Sequence, residues 1–164
     1  KSEDELLISQ GFSEKFEQTA MILKPSKPFD IESNLSIELV VNSQESNIWS
    51  ELFHKSFGYN TSPETVKNTL SKINYYIAYN NCIPVGTAIL YKTNNIMGIH
   101  SLGIPPSMRR KGYAEQIMKL LINLAIDKRS EFITLQASNM GKHLYSKLGF
   151  EEQFLIKNYT LQQT

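Results

Sequence analysis

The segment Arg109-Arg110-Lys111-Gly112-Tyr113-Ala114 sets three cations and a glycine at the mouth of a helix-like stretch. That combination suits one kind of chemistry, the holding of an anion. The first amides of a helix have no partner within it, and the aligned peptide dipoles leave that end positive. Gly112 lets the backbone approach a ligand closely, and Ala114 keeps the first turn thin. A phosphate or pyrophosphate is the ligand implied. The segment has neither the Gly-x-Gly-x-x-Gly of a dinucleotide-binding turn nor the Gly-Lys-Ser/Thr ending of a P-loop. A basic loop with one glycine also serves as a plain solvated connection.

The flanking elements must hold that loop in place. Ile96-Met97-Gly98-Ile99-His100-Ser101-Leu102-Gly103-Ile104 reads as a buried strand entering it. Ile117, Leu120, Leu121 and Leu124 recur at helical spacing beyond it, with Glu115, Lys119 and Asn123 on the other face. Upstream, Ser36 to Val41 alternates as a strand, and Ile48, Leu52, Phe53 and Phe57 mark a helix. Ser62-Pro63-Glu64 starts another helix, carrying Val66, Leu70 and Ile73. Tyr75 to Tyr79 and Val85 to Tyr91 read as a hairpin around Asn80-Asn81. Downstream come a strand from Phe132 to Ala137, a short helix to Leu148, a left-handed cap at Gly149, and terminal strands from Phe150 to Leu161.

With Arg109 first, Gly112 fourth and Ala114 sixth, the basic loop resembles the acyl-CoA pyrophosphate loop of the GNAT superfamily of acetyltransferases, Gln/Arg-x-x-Gly-x-Gly/Ala. Leu144-Tyr145-Ser146-Lys147-Leu148-Gly149-Phe150 resembles the Leu-Tyr-x-Lys-Leu-Gly-Phe signature that closes such a domain. The resemblance runs from about Leu35 to Leu161. It implies an α/β (α+β) fold, a mixed and mostly antiparallel sheet flanked by helices. It further implies acetyl-CoA as acyl donor and a primary amine of a small molecule or peptide as acceptor.

By the same resemblance, the backbone from Arg109 through Arg110, Lys111, Gly112, Tyr113 and Ala114 would take the pyrophosphate. Leu102, Gly103 and Ile104 would offer a splayed strand edge to the pantetheine arm, and an amide there would polarise the thioester carbonyl. Tyr145 would give a proton to the leaving thiolate. Ser138 stands where many relatives have a cofactor-contacting asparagine and is also a natural helix N-cap. Gly141 stands where alanine is usual, permitting close approach of the cofactor. The general base is not announced: His100 has the right pKa class, Glu38 and Glu115 are weaker candidates, and a water chain would also serve. A non-catalytic acyl-CoA-binding sensor or scaffold module is the second reading.

The 164 residues, 41% hydrophobic, make one well-packed domain rather than two complete ones. A net charge of +1 argues against a broad nucleic-acid or membrane-binding face. The single cysteine, Cys82, excludes an intramolecular disulfide and reads as a small structural residue. No His/Cys/Asp cluster has metal-ligand spacing, so no metal is expected. No run is long enough to cross a bilayer, and the expected location is cytoplasmic.

Residues 1–34 stand apart from the domain expected at 35–164. Gly11-Phe12-Ser13-Glu14-Lys15-Phe16 echoes Gly149-Phe150-Glu151-Glu152-Gln153-Phe154, and Leu6-Leu7 falls where Leu144-Tyr145 falls. The stretch reads as the tail of a second, upstream GNAT-like unit, with Lys24-Pro25-Ser26-Lys27-Pro28 as a stiff linker. Its apolar residues Phe16, Met21 and Ile22 require cover, from a sheet edge of the chain or from a homodimer partner.

Overall fold

The computed structural model of the protein describes residues 3–31 and 34–161. In chain order it runs α1 (Glu3–Ser9), β1 (Phe12–Leu23), β2 (Leu35–Leu39), α2 (Ser43–Phe57), α3 (Pro63–Thr69), β3 (Asn74–Asn80), β4 (Ile83–Thr93) and β5 (Ile96–Gly103). A 3-10 turn (Pro106–Met108), α4 (Tyr113–Asp127), β6 (Phe132–Ala137), α5 (Lys142–Lys147) and β7 (Glu151–Leu161) follow. Among the described residues no helix is long and apolar enough to cross a membrane. The chain forms two compact units, residues 24–134 and residues 1–23 with 135–164.

In the unit of residues 24–134, β2, β3, β4 and β5 are successive antiparallel neighbours, and β6 enters beside β5 in parallel, Ile96 opposite Phe132. The core gathers on Trp49, which stacks on Phe53 at 5.0 Å and meets Tyr75 edge-on at 4.9 Å. Its indole N–H donates to the Ala88 carbonyl, so the one polar atom of this buried ring is satisfied. Asn42 caps α2 by accepting from the Glu45 amide, while Glu45 reaches back to the Val41 amide. Ser62 caps α3, as expected from Ser62-Pro63, but that helix ends at Thr69, with Leu70 as its cap and Ile73 beyond it. The β3–β4 hairpin turns at Asn81 and Cys82, both at positive φ, so Cys82 is an exposed turn residue.

Helix α4 buries Ile117, Met118, Leu121, Ile122 and Ala125. The expected stripe through Leu120 and Leu124 is therefore rotated: Met118 and Ile122 take the central positions, and those two leucines flank them half-buried. Phe29, just past the expected linker of residues 24–28, docks on this helix, with the Lys119 ammonium 5.9 Å from its ring. The Asn123 side chain accepts from the Phe29 amide at 2.7 Å and donates to the Phe29 carbonyl at 2.8 Å, serving as a one-residue strand partner.

The other unit holds the end of β6, then β1 and β7 as its successive neighbours. β1 pairs antiparallel with β7 from Phe12↔Leu161 to Ile22↔Glu151. Met21 is buried and Ile22 half-buried, whereas Phe16 stays 47% exposed. One long strand, β7, takes the place of the terminal strands read after Phe150. The seven strands and their helices make the mixed, mostly antiparallel α/β fold that the two motifs imply.

Candidate active site

The strand that enters the basic loop is not regular. Ile89 pairs with His100 and Thr87 with Gly103, which leaves one extra residue on β5 between them. Ser101 absorbs it at φ 53, and its carbonyl accepts from the Thr87 hydroxyl at 3.0 Å. A bulge of this kind shifts which face the following residues present. Gly103 consequently faces the same side as His100 and meets the last turn of α2. A Cβ added at Gly103 would lie 2.6 Å from a Phe57 ring carbon and 2.8 Å from Ser56 Cβ. His100 is half-buried, its imidazole folded over Gly98, where an added Cβ would lie 2.6 Å from Nε2. Nothing in the sequence marks Ser101 for a left-handed conformation, so the bulge was not foreseeable from residue type.

After Pro105, which is buried, the 3-10 turn brings the chain to the loop. Arg109 donates through Nε to the Ile104 carbonyl at 3.0 Å and through Nη2 to the Ser56 carbonyl at 3.1 Å. Its guanidinium therefore joins the end of β5 to the end of α2, and the freely exposed cations of the loop are Arg110 and Lys111. Arg110 (φ 62) and Gly112 (φ 76) are both left-handed, and Gly112 is the N-cap of α4 without any side-chain cap. Alternating conformations of this sort turn successive amides toward one concave spot, which is how backbone nests hold anions. A Cβ on Gly112 would meet only Gln116 Nε2, at 3.7 Å, so the space over the cradle is open. Tyr113, the first helical residue, accepts from Asn80 Nδ2 at 2.8 Å, which pins the helix start to the end of β3. Ala114 follows, half-buried. These residues fit a pyrophosphate by geometry and by charge.

Beside Gly103, Phe53, Phe57 and Tyr59 form an aromatic group, with Phe53–Phe57 at 4.7 Å and Phe53–Tyr59 at 5.1 Å. Tyr59 is 61% exposed. Of the other base candidates, Glu115 is ion-paired with Lys119 at 3.1 Å, and Glu38 is exposed on β2.

Tyr145, Ser138 and Gly141 belong to the other unit. Helix α5 closes with two hydrogen bonds, Phe150 N–H to the Tyr145 carbonyl and Gly149 N–H to the Ser146 carbonyl, both 3.0 Å, with Gly149 at φ 93. That is the Schellman arrangement, in which the residue after the left-handed glycine packs on the residue five before it. Phe150 does so, edge-on to the Tyr145 ring at 6.1 Å. The signature Leu144 to Phe150 is thus a device that fixes one tyrosine ring. Burial pushes the Tyr145 hydroxyl above its ordinary pKa, so it is held as a proton donor through the neutral range. Gly141 lies against that ring. Ser138 is not the N-cap of α5, a correction to the expectation: Gly141 holds that position, and Ser138, exposed, accepts from its amide in the preceding turn at 3.3 Å.

Comparison with known proteins agrees with this architecture. The family model for the acetyltransferase (GNAT) domain matches residues 38–157, and the chain belongs to that family. Among solved structures, a GCN5-related N-acetyltransferase from Kribbella flavida superposes with a TM-score of 0.72 at 14% identity, over 96% of this chain and 62% of its own. One from Sphaerobacter thermophilus gives 0.77 at 16% identity, over 94% and 54%. An acetyltransferase from Bacillus subtilis, solved in complex with CoA, gives 0.61 at 23% identity, over 73% and 78%. The chain therefore spans roughly half to two-thirds of the length of the first two. No curated protein sequence matches it.

Proposed function

We propose that the protein is an acetyl-CoA-dependent N-acetyltransferase that delivers an acetyl group to a primary amine of a small molecule or peptide. The observation that carries this reading is the open cradle at Arg110 to Ala114, with two left-handed residues at the N-terminus of α4. Its amides and the helix dipole bind the pyrophosphate, while Arg110 and Lys111 add local positive charge. Arg109 contributes by holding the loop to α2. The bulged edge at Leu102, Gly103 and Ile104 takes the pantetheine arm, and an amide there steadies the charge that develops on the thioester oxygen.

Bound acetyl-CoA supplies a thioester open to direct attack by an amine. Tyr145 donates its phenolic proton to the departing sulfur, with Ser138 and Gly141 close to the same cofactor. The acceptor must lose a proton first, because a lysine-like amine has a pKa near ~10.4. His100, half-buried on β5, is the base we assign, directly or through water. The faces of Phe57 and Tyr59 suit an amine on an apolar or aromatic body. The protein acts in the cytoplasm and needs neither nucleic acid nor metal.

The test is thioester consumption with acetyl-CoA over a panel of polyamines, aminoglycosides, amino acids and peptides, followed by Tyr145→Phe. The variant keeps the ring and should keep acetyl-CoA affinity, while turnover falls by about 10²–10⁴. Acetyl-CoA binding with no turnover on any amine would favour the non-catalytic acyl-CoA sensor. Wild-type turnover in Tyr145→Phe would remove the proton-donor role.

A further inference from the structure

Within the unit of residues 1–23 and 135–164, one motif occurs twice. Laying Gly11 on Gly149 brings α1 onto α5 and β1 onto β7. The helix ends then share three bonds: Gly11 donates to Ile8 as Gly149 does to Ser146, and Gln10 donates to Leu6 and Leu7 as Leu148 does to Leu144 and Tyr145, while the Phe150 bond to Tyr145 has no counterpart at Phe12. Both glycines are left-handed, at φ 85 and 93.

The two strands also pair as a two-fold would have them. Exchanging the copies turns Glu14↔Tyr159 into Glu152↔Met21, Phe16↔Asn158 into Phe154↔Ala20, Glu17↔Lys157 into Leu155↔Thr19, and Gln18↔Ile156 into itself; each of these pairs is present. Even the irregularities obey it. The register skips Lys15 on β1 and Gln153 on β7, which are equivalent positions. Chance pairing of two strands does not place both bulges symmetrically.

The symmetry is nevertheless incomplete. β1 has β7 on one side and β6, the strand that leads into α5, on the other. β7 has β1 on one side and no strand among the described residues on the other. That free edge is eleven residues long, and Phe154 and Leu155, on opposite faces of the strand, are 64% and 61% exposed. Helix α1 likewise buries none of its residues and exposes Leu6 and Ile8. Such an edge demands a partner.

We propose that the outer edge of β7 docks a strand from a second unit of this fold, the strand that leads into α1 as β6 leads into α5. Exposed apolar residues of α1, such as Leu6 or Ile8, pack on that same unit. The occupant is a domain joined to α1 through its backbone, and the sheet runs on from one unit to the next. The Kribbella and Sphaerobacter chains have room for such a unit, since nearly all of this chain matches only 62% and 54% of theirs.

Hydrogen exchange in the full encoded polypeptide tests this. Alternate amides of an edge strand face outward and exchange freely, so an unpaired β7 shows about half its amides fast. Docking predicts that all amides of residues 151–161 are slowed at least ~10-fold, independent of protein concentration. Leu155→Asp should restore fast exchange in the outward half while acetyl-CoA affinity is unchanged. Fast exchange of that half in the wild-type polypeptide overturns the proposal. Protection that disappears on dilution also overturns it, since a second copy would then be the occupant.

Discussion

Gly141 lies directly against the Tyr145 ring: a Cβ at residue 141 would sit 2.9 Å from Tyr145 Cε2 and 3.4 Å from its hydroxyl oxygen. Gly141 has ordinary right-handed backbone angles, so the constraint is steric and not conformational. The glycine keeps clear the space that the phenol occupies.

Gly141→Ala should therefore displace the ring. Forcing a methyl into packed surroundings costs about 1–3 kcal/mol, and the hydroxyl moves with the ring. Thermal unfolding and steady-state rates should both fall. A Gly141→Ala protein of full stability and full turnover would show that the ring adjusts freely.

Gly112→Val should weaken acetyl-CoA binding by at least tenfold, about 1.4 kcal/mol. An added Cβ meets only Gln116 Nε2, at 3.7 Å, so the loss would arise in the open space proposed for the phosphate. A branched residue at φ 76 also strains the loop and should lower the melting temperature. Calorimetry on the folded variant separates the two effects, and unchanged affinity would rule out this cradle.

Asp4 anchors α1 to β7. It accepts from Lys157 Nζ at 2.5 Å and from the Tyr159 hydroxyl at 2.8 Å. The Lys157 bond first, then Tyr159, holds its carboxyl below its ordinary value of 3.8. A lowered carboxyl contributes stability above its unfolded pKa and loses it as pH falls through the folded one. Lys157 is raised from 10.5 by the same bond, so its share persists below that pH and is lost above it. The anchor should hold constant through the neutral range and fail below pH 3.8. Asp4→Asn should reproduce at pH 7 the lower α1 protection, measured against the intrinsic exchange rate, that the wild type shows in acid. Identical α1 exchange in both proteins at pH 7 would show that the contact does no anchoring.

Cys82 occupies a left-handed position, φ 65, after Asn81 at φ 48. Asn-Gly is the favoured pair for such a two-residue hairpin turn. Cys82→Gly should stabilise the protein by about 1 kcal/mol, the usual cost of a side chain in that conformation. Chemical denaturation measures it, and a destabilised variant would mean that the thiol makes a contact worth more.

What could be read from the sequence was local in cause. Leu144 to Phe150 was legible because each residue serves one helix end, and Gly149 leaves a visible mark. The echo between Gly11-Phe12 and Gly149-Phe150 was legible for the same reason. Ser62-Pro63 announced a helix start, yet Thr69 ended it early, since the following turn satisfies its backbone. The bulge at Ser101 left no mark, because serine has no special standing at positive φ. Arg109 looked like a phosphate ligand; its partner Ser56 lies 53 positions away, and only the folded chain brings the two together.

That single guanidinium carries a consequence for regulation. The last turn of α2 holds both the Ser56 carbonyl and the Phe57 ring, so pressure on Phe57 reaches the basic loop through one side chain. A ligand that shifted the last turn of α2 would move Arg109 with it, and any effect this had on binding at the basic loop would act equally in reverse.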